Sequence, residues 1–103
     1  MRLKRGDKAP SFELGDDAGR TVGLRHFKGR NVVLYFYPKG RVEQVLEFRN
    51  NFDRIVEKAA ILGVSMDDIN THRKYKKIYD IPFILLSDKQ GAVSNIYGVL
   101  DFY

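Results

Sequence analysis

Six consecutive apolar residues, Val32-Val33-Leu34-Tyr35-Phe36-Tyr37, run directly into Pro38. All but Leu34 are β-branched or aromatic, and no polar residue interrupts the run. Asn31–Tyr37 therefore reads as a strand buried on both faces of a sheet. Proline ends it, having no N–H to give to a strand ladder. From Val42 the period changes. Val45, Phe48, Phe52, Ile55, Val56 and Ala59 recur at three- and four-residue steps, with Glu43, Arg49, Asn50, Asp53 and Lys58 between them. That spacing predicts one amphipathic helix of about 17 residues. A two-faced buried strand followed at once by a helix is the start of a parallel β-α-β unit, since parallel neighbours need a crossover between them.

The rest of the chain repeats the alternation. Ala60-Ile61-Leu62-Gly63-Val64 reads as a second buried strand. Ser65 and Asp68 form an S-x-x-D approximation to a helix start, and that helix runs to about Tyr79. Phe83-Ile84-Leu85-Leu86, after Pro82, reads as a third strand, Asp88-Lys89-Gln90-Gly91 as a turn, and Ala92–Tyr97 as a short helix closed by Gly98. Ahead of all this, Phe12-Glu13-Leu14 and Thr21-Val22-Gly23-Leu24 flank Gly15–Arg20, a hairpin signal. The order is hairpin, strand, helix, strand, helix, strand, helix. It predicts an α/β fold with helices on the faces of the sheet, in one domain over residues 1–103.

Chemistry is sparse. His26 and His72 are 46 positions apart and fit no metal-binding spacing, so they read as independent surface or packing residues, and neither metal nor cofactor is expected. Asp67-Asp68 falls at a strand-to-helix junction and reads as capping; Asp16-Asp17 reads as turn chemistry. His72-Arg73-Lys74-Tyr75-Lys76-Lys77 is the densest basic cluster. It reads as the solvated face of the second helix, with Ile69, Tyr75, Ile78 and Tyr79 on the packed side, rather than as a nucleic-acid surface. The net charge of +5, from 18 basic and 13 acidic residues, is not concentrated enough to change that. Glycine-rich nucleotide motifs are absent, and Gly63-Val64-Ser65-Met66-Asp67 is not a nucleophile elbow. The basic opening, Met1-Arg2-Leu3-Lys4-Arg5, lacks an apolar core behind it, and no run approaches membrane-spanning length; a cytoplasmic location is expected.

The succession of segments is more specific than any one motif. Gly6-Asp7-Lys8-Ala9-Pro10-Ser11-Phe12-Glu13-Leu14, Phe27-Lys28-Gly29 and Val32–Lys39 resemble the opening of a peroxiredoxin. The bacterioferritin comigratory protein, or Q-type, branch of the AhpC/TSA family is the nearest group. The resemblance continues through Phe48-Arg49, Leu62–Asp67, His72-Arg73-Lys74-Tyr75, Tyr79, Pro82–Asp88 and Tyr97-Gly98-Val99. It implies a thioredoxin-like (peroxiredoxin) fold and a thiol peroxidase that reduces hydrogen peroxide and organic hydroperoxides, with thioredoxin as reductant. In that family the nucleophile is a cysteine in a P-x-x-x-T-x-x-C motif at the start of the first long helix. There the helix N-terminus and an arginine lower the thiol pKa.

This chain contains no cysteine. Pro38 matches the motif proline, but Phe48 follows it by only ten positions, a shorter interval than the family pattern has. Counting back from Phe48 puts Arg41, preceded by Gly40, where the cysteine belongs. Pro38, Gly40 and Arg41 are therefore the expected remnant of the active-site loop, with no catalytic residue among them. The family's further C-terminal strands would follow Leu100-Asp101-Phe102-Tyr103, so a truncated fold is expected: an N-terminal β-hairpin plus a β-α-β-α-β-α core. The Val32–Tyr37 strand should then have an open edge, met by strand pairing between two copies as a homodimer, by a domain-swapped dimer, or by the hairpin covering it. Three readings follow: a degenerate peroxiredoxin-like scaffold without peroxidase chemistry, a shortened form of an active thioredoxin-dependent enzyme, and a small basic interaction module using Lys74, Lys76 and Lys77.

Overall fold

The computed structural model describes residues 3–99. Leu100–Tyr103 and Met1-Arg2, on which the readings of the two chain ends fall, lie outside the described residues. The elements are β1 (Glu13–Asp16), β2 (Thr21–Gly23), a 3-10 turn (Leu24–Phe27), β3 (Val32–Phe36), α1 (Glu43–Asn50), α2 (Phe52–Ile55), β4 (Ala60–Ser65), α3 (Ile69–Tyr79), β5 (Ile84–Ser87) and α4 (Ala92–Ile96). The sheet order is β2-β1-β5-β4-β3. β3, β4 and β5 are parallel, and the β1–β2 hairpin joins antiparallel beside β5. The Asp16 carboxylate closes that hairpin by accepting bonds from the Ala18 and Arg20 amides at 3.0 and 2.8 Å.

Alternation along the strands sorts two apolar layers. Tyr35, Ile61, Phe83 and Leu85 pack with Tyr37 and Val45 on one face, under Phe48, Phe52, Tyr75 and Tyr79 from the helices. Leu62, Val64 and Leu86 pack with Phe12, Val22 and Val93 on the other. Gly63 is needed in β4 because the Tyr35 ring lies across it: a Cβ there would come within 2.6 Å of the Tyr35 hydroxyl.

Three expectations are corrected. β3 is not buried on both faces; only Tyr35 within it is fully buried, because β3 is the last strand of the sheet and pairs on one side only. The helix after Val42 is not one long rod. It breaks at Asn51, whose backbone (φ −109°, ψ 10°) leaves the helical region and whose amide is shared between the Glu47 and Phe48 carbonyls. Asn50-Asn51 has low helix propensity, and the Asn51 side chain competes for the Glu47 carbonyl at 2.9 Å. On α3, Ile78 is 67% exposed, since the inward stripe follows Ile69, His72, Lys76 and Tyr79.

The edge of β3 has a definite chemistry. The Asn31 carbonyl accepts from the Ala60 amide and the Tyr37 amide donates to the Val64 carbonyl, both at 2.9 Å. Odd-numbered residues of the strand therefore turn their backbone groups toward β4. Val32, Leu34 and Phe36 turn theirs to the open edge, where among the described residues no strand meets them.

Candidate functional site

The loop from β3 to α1 holds the residues expected to remain from an active site. Pro38 ends the strand run, and its carbonyl accepts from the Arg41 amide at 3.0 Å, closing a tight turn. Gly40 takes a positive φ of 75° within that turn, a conformation that favours glycine. α1 then starts at Glu43 with Val42 as its cap, and no side chain bonds its free amides. The Arg41 guanidinium is solvent-exposed, 3.6 Å from the Glu43 carboxylate. Pro38, Arg41, Glu43 and Gln44 line a groove of about 340 Å³ in front of the helix start.

Behind the loop lies a buried polar cluster. The Gly40 amide donates to both oxygens of the Asp67 carboxylate, at 3.2 and 3.1 Å. Asp67 also accepts from the Ser65 hydroxyl at 2.9 Å. Ser65 Oγ lies 2.8 Å from His72 Nε2, which lies 3.0 Å from the Tyr37 hydroxyl. Ser65, Asp67 and His72 are all buried, His72 completely. The chain of contacts thus runs from the loop through the end of β4 into the first turn of α3 and back to the residue after β3. Burial holds the His72 imidazole below its ordinary range, against the opposing pull of the Asp67, Asp17 and Asp68 carboxylates. Sealed from solvent, with its hydroxyl proton given to Asp67, Ser65 has no route to act as a nucleophile.

The junction divides its two acidic residues. Asp68 is the N-cap of α3, accepting from the Thr71 amide at 2.8 Å, as capping chemistry predicts. That bond, first among the causes, holds its carboxyl below the usual range. Asp67 is not a cap; it faces inward and holds Gly40. Ser65 is not a cap either, because it ends β4 and its hydroxyl is committed to the cluster. His72 belongs to this cluster rather than standing alone. One sequence signal could have found it: Ser65 at a strand end, Asp67 two residues on, and His72 on the inward side of the following helix.

The other chemical candidates resolve into structure. His26 Nδ1 accepts the Gly23 amide at 3.0 Å in the 3-10 turn. In the basic cluster, Arg73 donates to the Asp17 carbonyl, and Lys76 is ion-paired with the Asp17 carboxylate at 3.3 Å. Tyr75 and Tyr79 pack into the core layer, so they are not stacking platforms. Among the described residues no group of acidic and histidine side chains is arranged to hold a metal ion. No helix among them is long and apolar enough to cross a membrane. A separate apolar groove of about 530 Å³ runs beside the open edge of β3, lined by Leu24, Phe27, Val32, Leu34, Phe36 and Tyr97, with Lys28 and Arg30 also in its lining.

A central parallel β3-β4-β5 sheet with an antiparallel hairpin beside it, and a helix launched from the loop after β3, is the thioredoxin-like fold of peroxiredoxins. The AhpC/TSA family matches residues 5–102, and the chain belongs to that family. Its relatives lie in the Bcp and peroxiredoxin Q branch. It is 41% identical over 103 residues to chloroplastic peroxiredoxin Q of Oryza sativa subsp. japonica, covering 95% of this chain and 48% of that one. It is 38% identical over 104 residues to peroxiredoxin Bcp of Bacillus subtilis, covering 96% and 66%. The crystal structure of peroxidoxin BcpB from Mycobacterium tuberculosis superposes with a TM-score of 0.86 at 30% identity, over 94% of this chain and 67% of that one. The chain thus spans about half the length of its plant relatives.

Proposed function

We propose that residues 1–103 form one peroxiredoxin-like domain that has kept the scaffold and lost the peroxidase chemistry. The observation that carries this reading is the β3–α1 connection: Pro38 closes directly onto Arg41, Gly40 is tied to Asp67, and α1 starts two residues later. In this reading Pro38, Gly40 and Arg41 are what remains of the active-site loop. Arg41 has no lone pair available to attack a peroxide oxygen, and a cysteine-free chain offers thioredoxin no disulfide to reduce. The remaining role is binding or assembly. The open edge of β3, with its outward backbone groups and apolar Val32, Leu34 and Phe36, supports pairing with a second copy of the chain.

The chemical half of the reading is tested by supplying hydrogen peroxide and an organic hydroperoxide with thioredoxin, thioredoxin reductase and NADPH. The expected result is NADPH consumption no faster than without the chain; protein-dependent turnover would refute it. The assembly half is tested by light scattering on the native chain and on Leu34→Lys. A dimer that Leu34→Lys converts to monomer is expected, and a native monomer at high concentration refutes it. A second reading, favoured by the 48% share of the plant relatives that the chain spans, is a shortened form of an active thioredoxin-dependent peroxidase. A parent reading frame carrying the Thr-x-x-Cys loop would decide for it.

A further inference from the structure

We propose that the buried chain Gly40–Asp67–Ser65–His72–Tyr37 is a latch on the β3–α1 loop, and that it opens when His72 takes up a second ring proton. Counting donors and acceptors assigns the imidazole its resting form. Ser65 has one hydroxyl proton and gives it to Asp67, while its oxygen also accepts from the Asp67 amide at 3.2 Å. The 2.8 Å contact with His72 is therefore made by a proton on His72 Nε2 pointing at Ser65 Oγ, with the Tyr37 hydroxyl oxygen, 3.0 Å from the same nitrogen, as its second acceptor. The other ring nitrogen, Nδ1, is then a bare lone pair, buried and without a hydrogen-bond partner among the described residues.

A second proton can go only to Nδ1. There it places a charged N–H in the core with no acceptor, one of the costlier arrangements in a protein interior. The groups facing the ring do not supply that acceptor. Tyr37 comes from the end of β3, with ring centroids 6.2 Å apart, and Ser65 from β4. Asp67 and Asp68 sit in the junction before α3, Tyr75 on α3 itself, and Asp17 after β1, where Lys76 already pairs with it. Of the strands packed against α3, β5 contains no titratable residue, and in β1 the Asp16 carboxylate is taken up by the Ala18 and Arg20 amides and the Arg20 guanidinium, and Glu13 by Arg25. The protonated ring is relieved by tilting the first turn of α3 until Nδ1 reaches water. That motion withdraws Nε2 from Ser65, frees Ser65 from its orientation toward Asp67, and loosens the carboxylate that holds Gly40. The release reaches the Pro38–Val42 loop at Gly40, whose amide among the described residues bonds only the Asp67 carboxylate. This goes beyond the loss of peroxidase chemistry and holds whether or not the chain binds a second copy.

The test is amide exchange at Gly40, read by NMR from pH 7.5 to 5 and corrected for intrinsic rates, together with the ring-nitrogen shifts of His72. At neutral pH the His72 shifts should show the proton on Nε2. Below about pH 6.5 Gly40 exchange should rise by up to about tenfold per pH unit, the limit for opening linked to one proton. Leu62 and Leu85 in the core should not follow it. In His72→Gln, which keeps an N–H donor for Ser65 but cannot be protonated, the Gly40 profile should be flat. A proton on Nδ1 at neutral pH, a flat profile in the native chain, or an unchanged rise in His72→Gln overturns the proposal. If His72→Gln fails to fold, the native chain still decides. The Gly40 rise and the His72 nitrogen titration must then share one midpoint, and separate midpoints overturn the latch.

Discussion

Gly63→Ala tests the packing of the helix-facing layer at its tightest point. The added Cβ would meet Tyr35 Oη at 2.6 Å, Tyr35 Cζ at 2.7 Å and Leu85 Cδ2 at 3.1 Å. The Tyr35 ring has nowhere to retreat: it stacks on Phe48 at 4.2 Å and 19°, meets Phe83 edge-on at 6.2 Å, and abuts Tyr37 at 5.9 Å. Forcing a methyl group into such a site costs about 1–3 kcal/mol. Replacing glycine in a strand interior by alanine returns roughly 0.5–1 kcal/mol of backbone entropy. The net expectation is a loss of about 1–2 kcal/mol. At about 4–8 °C per kcal/mol for a domain of this size, the melting temperature should fall by roughly 5–15 °C. Urea unfolding of Gly63→Ala, Tyr35→Phe and the double variant supplies a complete cycle. Removing the hydroxyl removes the shortest of the three contacts, so the double variant should be more stable than the sum of the singles by about 0.5 kcal/mol or more. A neutral or stabilised Gly63→Ala, or strict additivity in the cycle, would refute the reasoning.

Tyr35→Phe alone should be stabilising, by about 1 kcal/mol, because the Tyr35 hydroxyl is buried without a hydrogen-bond partner among the described residues and an unmet polar group costs about that much; a lower urea midpoint would count against this. Stability should fall as the pH drops below about 6.5, at up to about 1.4 kcal/mol per pH unit. Burial keeps the folded His72 neutral while the unfolded chain takes up its proton, so stability present above the unfolded value is lost on the way down to the folded one. His72→Gln should remove that component of a urea-versus-pH series, and an identical slope in the variant would contradict it. Asp68→Ala should lower the melting temperature by removing the α3 cap, and the difference from the native chain should vanish in strong acid, where the native carboxyl is itself protonated. Equal melting temperatures at neutral pH would show that the cap contributes nothing.

The strand and helix alternation was legible from the chain because periodicity follows directly from backbone geometry: period two for β1 and β2, continuous apolar runs for β3 to β5, and three- and four-residue steps for the helix after Val42. The break at Asn51 was not, because Phe52 and Ile55 keep the apolar spacing of a continuing helix while the local hydrogen bonds of Asn51 end it. Ile78 misled for the converse reason. It is an apolar residue on the wet side of α3, and only the rotational setting of the helix on the sheet decides which side that is.

What the sequence determined by itself was the family scaffold and the absence of cysteine from these 103 residues. Segments in register identify the first, and the second is read directly along the chain. What only the tertiary structure decided was the company each polar side chain keeps. Asp67 and Asp68 are adjacent and identical in type, yet one caps a helix and the other is buried beneath a glycine 27 positions away. His72 looked like one more member of a basic run until the helix turned it inward toward Ser65 and Tyr37. Periodicity is a local property, readable along the chain. Hydrogen-bond partnership between β3, β4 and α3 depends on how those elements cross, which arises only when the sheet closes and excludes water from their junction.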